Sequence, residues 1–174
     1  KDGLVAVGDR RGLVTTWQVE TGELVRTLRV PGTSAPGQTA LKQTGPGQAD
    51  ALCFDETGER LAVGYQGSIR VWSVDDARVL QELPLPPHGK IVPEREFVLA
   101  IRYCAARSTW IGSTSAGRIL LWRDASEELS TLVDPELYAR RARDPSSQWI
   151  VSLAVSRDGR FLWSGSSDRS VLLW

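Results

Sequence analysis

The chain has 174 residues, and its 21 lysines and arginines balance 21 aspartates and glutamates. Because the net charge is zero, no overall field attracts nucleic acid or an anionic membrane surface, and we expect neither as a partner. No apolar run approaches the roughly 18 residues of a membrane-spanning helix. Cys53 and Cys104 have no further thiols or histidines at ligand spacing. This absence predicts free structural thiols, no metal site and a reducing, cytoplasmic compartment.

In chain order, the first segment is residues 1–30, in which LVAVG and VTTW are short runs of apolar and β-branched residues. Glycine and aspartate between two such runs predict a hairpin. After Trp17 the chain turns at Gly22, and a further run extends from Leu24 to Val30. The segment therefore predicts the second, third and fourth strands of a sheet. A surface connection rich in Gly, Pro, Thr and Gln follows at residues 31–48.

The next two segments, residues 49–83 and 98–133, predict four strands each. In both, a strand with apolar residues at one repeated spacing precedes the hairpin, and its last two apolar residues share one face because they lie two apart. Gly58 and Gly159 are placed to supply positive φ in the turns that follow such strands. The same pattern returns in the fourth segment, residues 150–174, which ends on its third strand. The apolar sets are Ala49, Leu52, Phe54; Val98, Ile101, Tyr103; and Ile150, Leu153, Val155.

The connections between segments are candidate recognition elements, since long loops on a rigid scaffold commonly carry binding residues. Residues 84–97 are proline-rich and contain the only histidine, which is more typical of a surface residue than of a ligand. Residues 134–149 predict a short helix, with Asp134 as N-cap and Pro145 after its end. A structural role is the alternative for its arginines, because positive charge late in a helix stabilises the negative end of the helix dipole. The alternative for the tryptophan that ends this connection is the start of the next strand. The candidate partner-binding residues are His88, Arg140, Arg141, Arg143 and Trp149.

The four segments form a repeat that ends on a tryptophan. Trp17, Trp72, Trp122 and Trp174 lie 55, 50 and 52 residues apart, a period typical of arrays whose units bury their apolar faces against neighbours. The whole repeat, clearest in SRDGRFLWSGSSDRSVLLW and WQVETGELVRTL, resembles the WD40-repeat family of β-propellers. The resemblance implies an all-β fold with four-stranded antiparallel blades. The Asp that follows the tryptophan in that family is absent after the three internal tryptophans, and its Gly-His pair is absent from every unit.

The resemblance also implies a structural role for Asp168. In the family, an Asp in the turn between the second and third strands links a His, a Ser or Thr and the Trp. Only Asp168 stands there in this chain, because Arg11, Gln66 and Ala116 occupy the equivalent positions. With no histidine available, we expect Asp168 to cap its own turn through backbone N–H groups. We interpret Asp168 and the four repeat tryptophans as structural residues.

The number of predicted strands, 14 in all, indicates an open partial ring. The first and last segments hold three strands each, so the chain has fewer blades than the family commonly has. An open arc leaves apolar sheet faces and strand edges uncovered. We therefore expect residues 1–174 to self-associate in isolation, and the remaining blades to lie elsewhere in a larger protein. A four-bladed ring is the alternative.

The sequence contains no catalytic constellation that we recognise, neither a phosphate-binding loop nor a nucleophile with its base. Trp110 and Trp163, on second strands, predict core packing between blades rather than a cofactor site, and we predict no catalytic residue and no cofactor. The hypothesis is a non-catalytic scaffold or sensor that binds a protein or peptide on the propeller rim. The degenerate repeats of the chain resemble those of bacterial propellers attached to signalling or defence NTPases. The alternative is a propeller enzyme whose catalytic residues lie outside this chain.

Overall fold

A computed structural model describes residues 3–29, 47–87, 96–124, 126, 128–133 and 149–174. The regular elements in these ranges are β-strands, apart from one turn of 3-10 helix at Ala105–Arg107. The predicted all-β fold with four-stranded antiparallel sheets is confirmed. The strands are β1 Leu4–Gly8, β2 Val14–Gln18, β3 Leu24–Leu28, β4 Ala51–Phe54, β5 Arg60–Tyr65, β6 Ser68–Ser73, β7 Arg78–Pro84, β8 Val98–Cys104, β9 Thr109–Thr114, β10 Ile119–Arg123, β11 Ser130–Leu132, β12 Ile150–Val155, β13 Leu162–Ser166 and β14 Val171–Leu173.

The strands form four sheets in sequence order: sheet 1 is β1–β3, sheet 2 is β4–β7, sheet 3 is β8–β11 and sheet 4 is β12–β14. Each strand pairs with the next one along the chain in antiparallel direction. The turns between first and second strands, and between third and fourth strands, therefore lie at one end of every sheet, which we call the lower rim. The turns between second and third strands lie at the other end together with the connections between sheets, and this end is the upper rim. Sheet 1 begins with a second strand, and sheet 4 ends with a third.

The sheets pack face to face, and an apolar cluster lies between each consecutive pair. The first strands β4, β8 and β12 contact one another in succession and are innermost. Leu153 and Val155 of β12 both face sheet 3, as their spacing predicts. Sheets 2 and 3 approach so closely that a Cβ on Gly64 would lie 2.6 Å from the Cβ of Val98. Only a glycine fits at that point without a backbone shift.

The outward faces of the first and last sheets are not covered by another of the described sheets. In sheet 1, Val5 is 44% and Val7 is 50% exposed; in sheet 4, Val171 is 65% exposed. The expectation that Trp110 and Trp163 both pack between blades is correct for Trp110 and wrong for Trp163. Trp110 is fully buried, whereas Trp163 is 47% exposed because it lies on the outward face of sheet 4. The described sheets thus form an open arc.

Candidate functional site

The upper rim is built from tight turns that are capped by their own side chains. Asp168 Oδ1 accepts a hydrogen bond from the backbone N–H of Ser170, at 2.9 Å. Asp9 Oδ1 accepts two, from the N–H groups of Arg11 and Leu13, both at 2.8 Å. In the turn between β9 and β10, the hydroxyl oxygen of Thr114 accepts hydrogen bonds from the backbone N–H groups of Ala116 and Arg118. Asp9 and Thr114 lie eight residues before their repeat tryptophans, whereas Asp168 lies six residues before Trp174, so the position of Asp168 does not predict these two caps.

Each connection between sheets is tied to the turn beside it by a backbone hydrogen bond. The N–H of Ala49 donates to Asp9 O at 3.1 Å, and the N–H of Gly67 donates to Glu96 O at 2.8 Å. The N–H of Ser167 donates to Trp149 O at 2.9 Å. A backbone hydrogen bond is therefore present at all three junctions, but the contacts are not equivalent. Asp9 and Gly67 belong to turns of the sheet before the connection, whereas Ser167 belongs to the turn of the sheet that follows Trp149.

A buried ion pair reinforces the central junction. Arg118 and Glu96 have side chains that are each 1% exposed. Arg118 Nε donates to Glu96 Oε1 at 3.0 Å, and Nη1 donates to Pro86 O at 3.0 Å. A fully buried pair is tolerated only when its hydrogen bonds are satisfied in this way. The pair holds a turn of sheet 3 to the connection that precedes that sheet, and no local sequence signal pointed to it.

Of the predicted partner-binding residues, the structure describes Trp149 alone. Its side chain is 48% exposed at the upper rim, directly before β12. His88, Arg140, Arg141 and Arg143 lie outside the described residues, as does the predicted helix that starts at Asp134. The position of the three arginines relative to Trp149 therefore also lies outside what the structure describes.

The repeat tryptophans lie at the interfaces between sheets, with one exception. Trp72 and Trp122 are each 1% exposed. Trp174 is partly buried against sheet 3, and its Nε1 donates to Ser164 Oγ at 2.9 Å. Trp17 lies on the outward face of sheet 1, where its Nε1 donates to Thr15 Oγ1 at 2.9 Å.

A cluster of charged and aromatic side chains joins sheets 2 and 3 at the lower rim. Arg60 forms a bidentate pair with Asp124, with both N···O distances at 2.9 Å. Its Nε also donates to Asp55 Oδ2 at 2.8 Å. The guanidinium lies over two rings of sheet 3, 5.7 Å from the centroid of Tyr103 and 5.8 Å from that of Trp110.

Asp124 is the hub of this cluster. Besides Arg60, the Tyr103 hydroxyl donates to it at 2.7 Å and Trp110 Nε1 at 2.9 Å. Burial alone would raise the pKa of Asp124, but the hydrogen bonds from Arg60 and Tyr103 outweigh burial and hold this pKa below its usual value of 3.8. Burial, followed by the hydrogen bond to Asp124, raises the pKa of Tyr103. The cluster is a stable ionised link between two sheets.

The equivalent space between sheets 3 and 4 is an open cleft of about 580 Å³. Leu132 and Trp174 are among its apolar lining residues, and residues of the lower-rim turns, such as Arg107 and Gly159, also line it. In strand register, Val155 and Leu162 replace the Tyr103 and Trp110 of the neighbouring interface. Val155 and Leu162 are smaller than Tyr103 and Trp110, and they fill less of this space. The other lining residues include Arg123, Arg160, Glu128, Phe161 and Leu121.

Among the described residues, no three His, Cys, Asp or Glu side chains come together as possible metal ligands. Cys53 and Cys104 are free thiols. Burial raises the pKa of Cys53 above its usual value, which keeps this thiol protonated and a poor nucleophile. None of the helical structure in the described ranges has the length and hydrophobicity to span a bilayer.

Comparisons with known proteins agree with this architecture. A family model described as WD domain, G-beta repeat, matches residues 142–174. No curated protein matches the chain in sequence. In fold, the chain is similar to the crystal structure of the Cps50 (Swd1) beta-propeller domain of Myceliophteria thermophila, with a TM-score of 0.69, 17% identity, and coverage of 98% of this chain and 48% of that one. The chain thus spans about half of that structure's length. The family model thus identifies one such repeat at residues 142–174, and the structural similarity shows a β-propeller fold over the chain.

Proposed function

We propose that the chain is a non-catalytic interaction module of a larger protein, and that its upper rim binds a protein or peptide partner. WD40 propellers usually bind proteins or peptides. The observation that carries the proposal is Trp149, whose carbonyl is held by Ser167 while its side chain is 48% exposed. An exposed tryptophan on a fixed backbone loses little entropy on binding, and tryptophan is enriched in binding hot spots.

The chemistry of the partner follows from the residues that precede Trp149. Arg140, Arg141 and Arg143 lie within nine residues of it in the sequence, and His88 belongs to the neighbouring connection. Guanidinium groups form bidentate hydrogen bonds with carboxylates. We therefore propose that the partner segment combines carboxylates with an apolar residue that packs on Trp149.

A library of random displayed peptides, selected against residues 1–174, tests this proposal. We expect the enriched peptides to be acidic and to lose at least tenfold in affinity for a variant that combines Trp149→Ala with Arg140→Glu, Arg141→Glu and Arg143→Glu. Arg29→Glu is the matched control for charge, because Arg29 is exposed and directly follows β3. Enrichment of peptides that bind both variants equally, or no enrichment, would overturn the upper-rim proposal.

We further propose that residues 1–174 self-associate, with the outward face of sheet 4 packing on that of sheet 1 from a second copy. The exposed Val5 and Val7 on one face, and the exposed Trp163, Val171 and Leu173 on the other, support this arrangement. The chain spans 48% of the matched propeller chain, so two copies equal about one such domain in length. Light scattering after size exclusion should give twice the monomer mass, and Trp163→Ser should lower it. A compact monomer would contradict the proposal.

The setting that we propose is the cytoplasm, within a bacterial signalling protein. The free thiols of Cys53 and Cys104 and the resemblance of the degenerate repeats to bacterial propellers support this setting. A nucleotide-hydrolysing domain in the same reading frame would agree with it, and a secretory leader would contradict it.

A further inference from the structure

Phe97 is a second exposed aromatic residue on the upper rim, at the position that corresponds to Trp149. Each of the two directly precedes the first strand of its sheet, β8 or β12. The carbonyl of Phe97 accepts a hydrogen bond from the backbone N–H of Ser115 at 2.9 Å, and that of Trp149 accepts one from Ser167 at the same distance. Phe97 is 37% exposed. The upper rim therefore presents two aromatic side chains from equivalent positions of the repeat.

The backbone of Phe97 is held by both neighbouring sheets. Its N–H donates to Ser115 Oγ of sheet 3 at 3.0 Å. It also forms an isolated antiparallel bridge with Gln66, in the turn between β5 and β6 of sheet 2. The residues on either side of it in the sequence, Glu96 and Val98, are buried. Because this backbone is fixed, little conformational entropy is lost when a ligand contacts the exposed ring.

The hairpin of β9 and β10 holds the backbone beside both aromatic residues. Ser115, in the turn of this hairpin, bonds Phe97. Ser113, two residues earlier, donates from Oγ to the carbonyl of Ile150 at 2.8 Å, and Ile150 directly follows Trp149. The strands β8 and β12 contact each other, so the two aromatic residues start from neighbouring positions in adjacent sheets, which pack roughly 10 Å apart. One short peptide segment can therefore contact both rings.

The described turns around the two rings carry no net charge. Residues 66–67 in sheet 2 and 115–117 in sheet 3 have no ionisable side chain. In the turn of sheet 4, Asp168 is followed by Arg169, so the two charges are opposite in sign. The ion pair at the central junction is buried and internally neutral. This surface therefore favours an uncharged part of the partner.

We infer that Phe97 and Trp149 together bind a proline-containing segment of the partner in the polyproline II conformation, with one ring against each of two residues that lie three apart. The inference rests on the proposed function, since it names the conformation and spacing of the segment that packs on Trp149. The carboxylates of the partner flank this segment.

The spacing of the two rings favours this conformation. A polyproline II helix has three residues per turn and a rise of about 3.1 Å, so residues i and i+3 share one side and lie about 9 Å apart. This distance is close to the separation of the two sheets. Residues on one side of a β-strand lie about 7 or 13 Å apart instead.

An amphipathic helix fits this surface less well. A helix that spans both rings would place further apolar residues over the turn between them, where the side chain of Ser115 is polar. In a polyproline II segment, residues i+1 and i+2 point away from the surface and need no apolar counterpart. Surfaces lined with aromatic side chains bind proline-rich segments of this kind in other proteins.

Two peptides of identical composition test the spacing. DDPAAPDD has its prolines three apart, and DDPAPADD has them two apart. NMR titration of residues 1–174 measures both affinities and identifies the signals that shift. We expect DDPAAPDD to bind at least fivefold more tightly and to shift the signals of Phe97 and Trp149. Because proline breaks helices, binding of this peptide would exclude a helical ligand.

Variants of Phe97 test the second ring. Phe97→Ser should weaken binding of DDPAAPDD at least tenfold and reduce the preference between the two peptides to less than twofold. Phe97→Tyr retains the ring and should bind DDPAAPDD within twofold of the unchanged protein. Leu80→Ser is the matched control, because Leu80 has a similar exposure of 39% but lies on β7, the outer strand of sheet 2. This control should leave binding unchanged.

Equal affinity of the two peptides, or no binding of either, would overturn the inference. Full binding by Phe97→Ser would overturn it as well, and so would selected library peptides whose apolar residues follow helical spacing. The upper-rim proposal fails on different results, because it depends on Trp149 and its neighbouring arginines. Selected peptides that lose affinity for the Trp149 and arginine variant but not for Phe97→Ser would support the proposed function and overturn this inference alone.

Discussion

The interface between sheets 2 and 3 and the interface between sheets 3 and 4 are built on the same strand register but are filled differently. In the first, Trp110 pairs with Trp122, and the two rings stack with centroids 6.2 Å apart and planes within 10°. Tyr103 and Arg60 complete the layer. In the second, Leu162 pairs with Trp174 through backbone hydrogen bonds, and a cleft remains beside them.

The difference shows that two interfaces of one repeat can be packed to different extents. Apolar contact between neighbouring sheets is enough to hold them together, and a fully filled interface is not required. Between sheets 2 and 3, large aromatic rings and an ion pair occupy the lower rim. Between sheets 3 and 4, smaller residues leave a cavity while the inner strands still pack. Substitutions at equivalent positions should therefore have unequal effects.

The largest effect is expected at Trp110, which is fully buried in the filled interface. Trp110→Ala removes the stacking partner of Trp122 and the hydrogen bond to Asp124, and it should lower the free energy of unfolding by about 3–5 kcal/mol. Urea titration measures this change. Trp149→Ala is the matched control, since a half-exposed tryptophan should contribute less than about 1 kcal/mol. Equal losses in the two variants would show that the layer is not tightly packed.

A smaller effect is expected at Asp124, and it depends on pH. Because the folded-state pKa lies below the ordinary value of 3.8, the ionised carboxylate contributes stability above that value, and this contribution is lost as the pH falls through the folded-state pKa. Asp124→Asn should lower stability by about 1–3 kcal/mol at neutral pH. Urea titrations between pH 6 and pH 3 would show the two proteins converging as the pH falls. A constant difference would contradict the role of this carboxylate.

Sequence patterns predicted the strands well, because alternation and turn chemistry are local. The paired apolar residues of the first strands, such as Leu153 and Val155, lie on the predicted face, and Gly58 and Gly159 have the expected positive φ of 70° and 67°. Local patterns cannot predict the lower-rim ion pair, because Arg60 and Asp124 are 64 residues apart and belong to different sheets. Their meeting depends on how two sheets pack.

The error at Trp163 has a geometric cause. Trp122 is ten positions after Gly112, but Trp174 is nine positions after Gly165. Because side chains alternate along a strand, a difference of one residue moves a side chain to the opposite face. Trp110 therefore pairs with Trp122 and faces sheet 2, whereas Trp163 pairs with Leu173 and faces outward. Trp110 and Trp163 each lie two residues before a glycine, so their position relative to that glycine does not show the change. Their distances from the repeat tryptophans, 12 and 11 residues, do show it.

The smallest effect is expected when the open interface is made like the filled one. Leu162→Trp places an indole at the position that corresponds to Trp110, where the adjoining cleft of about 580 Å³ has room for it. Overpacking a closed core costs typically 1–3 kcal/mol. Here the added volume enters existing space, so the free energy of unfolding should change by less than about 1 kcal/mol. Ile101→Trp is the control, because Ile101 is fully buried between sheets 2 and 3 and should lose stability as an overpacked core does. Equal losses in the two variants would mean that the cleft closes in solution, and the contrast between the two interfaces would then be lost.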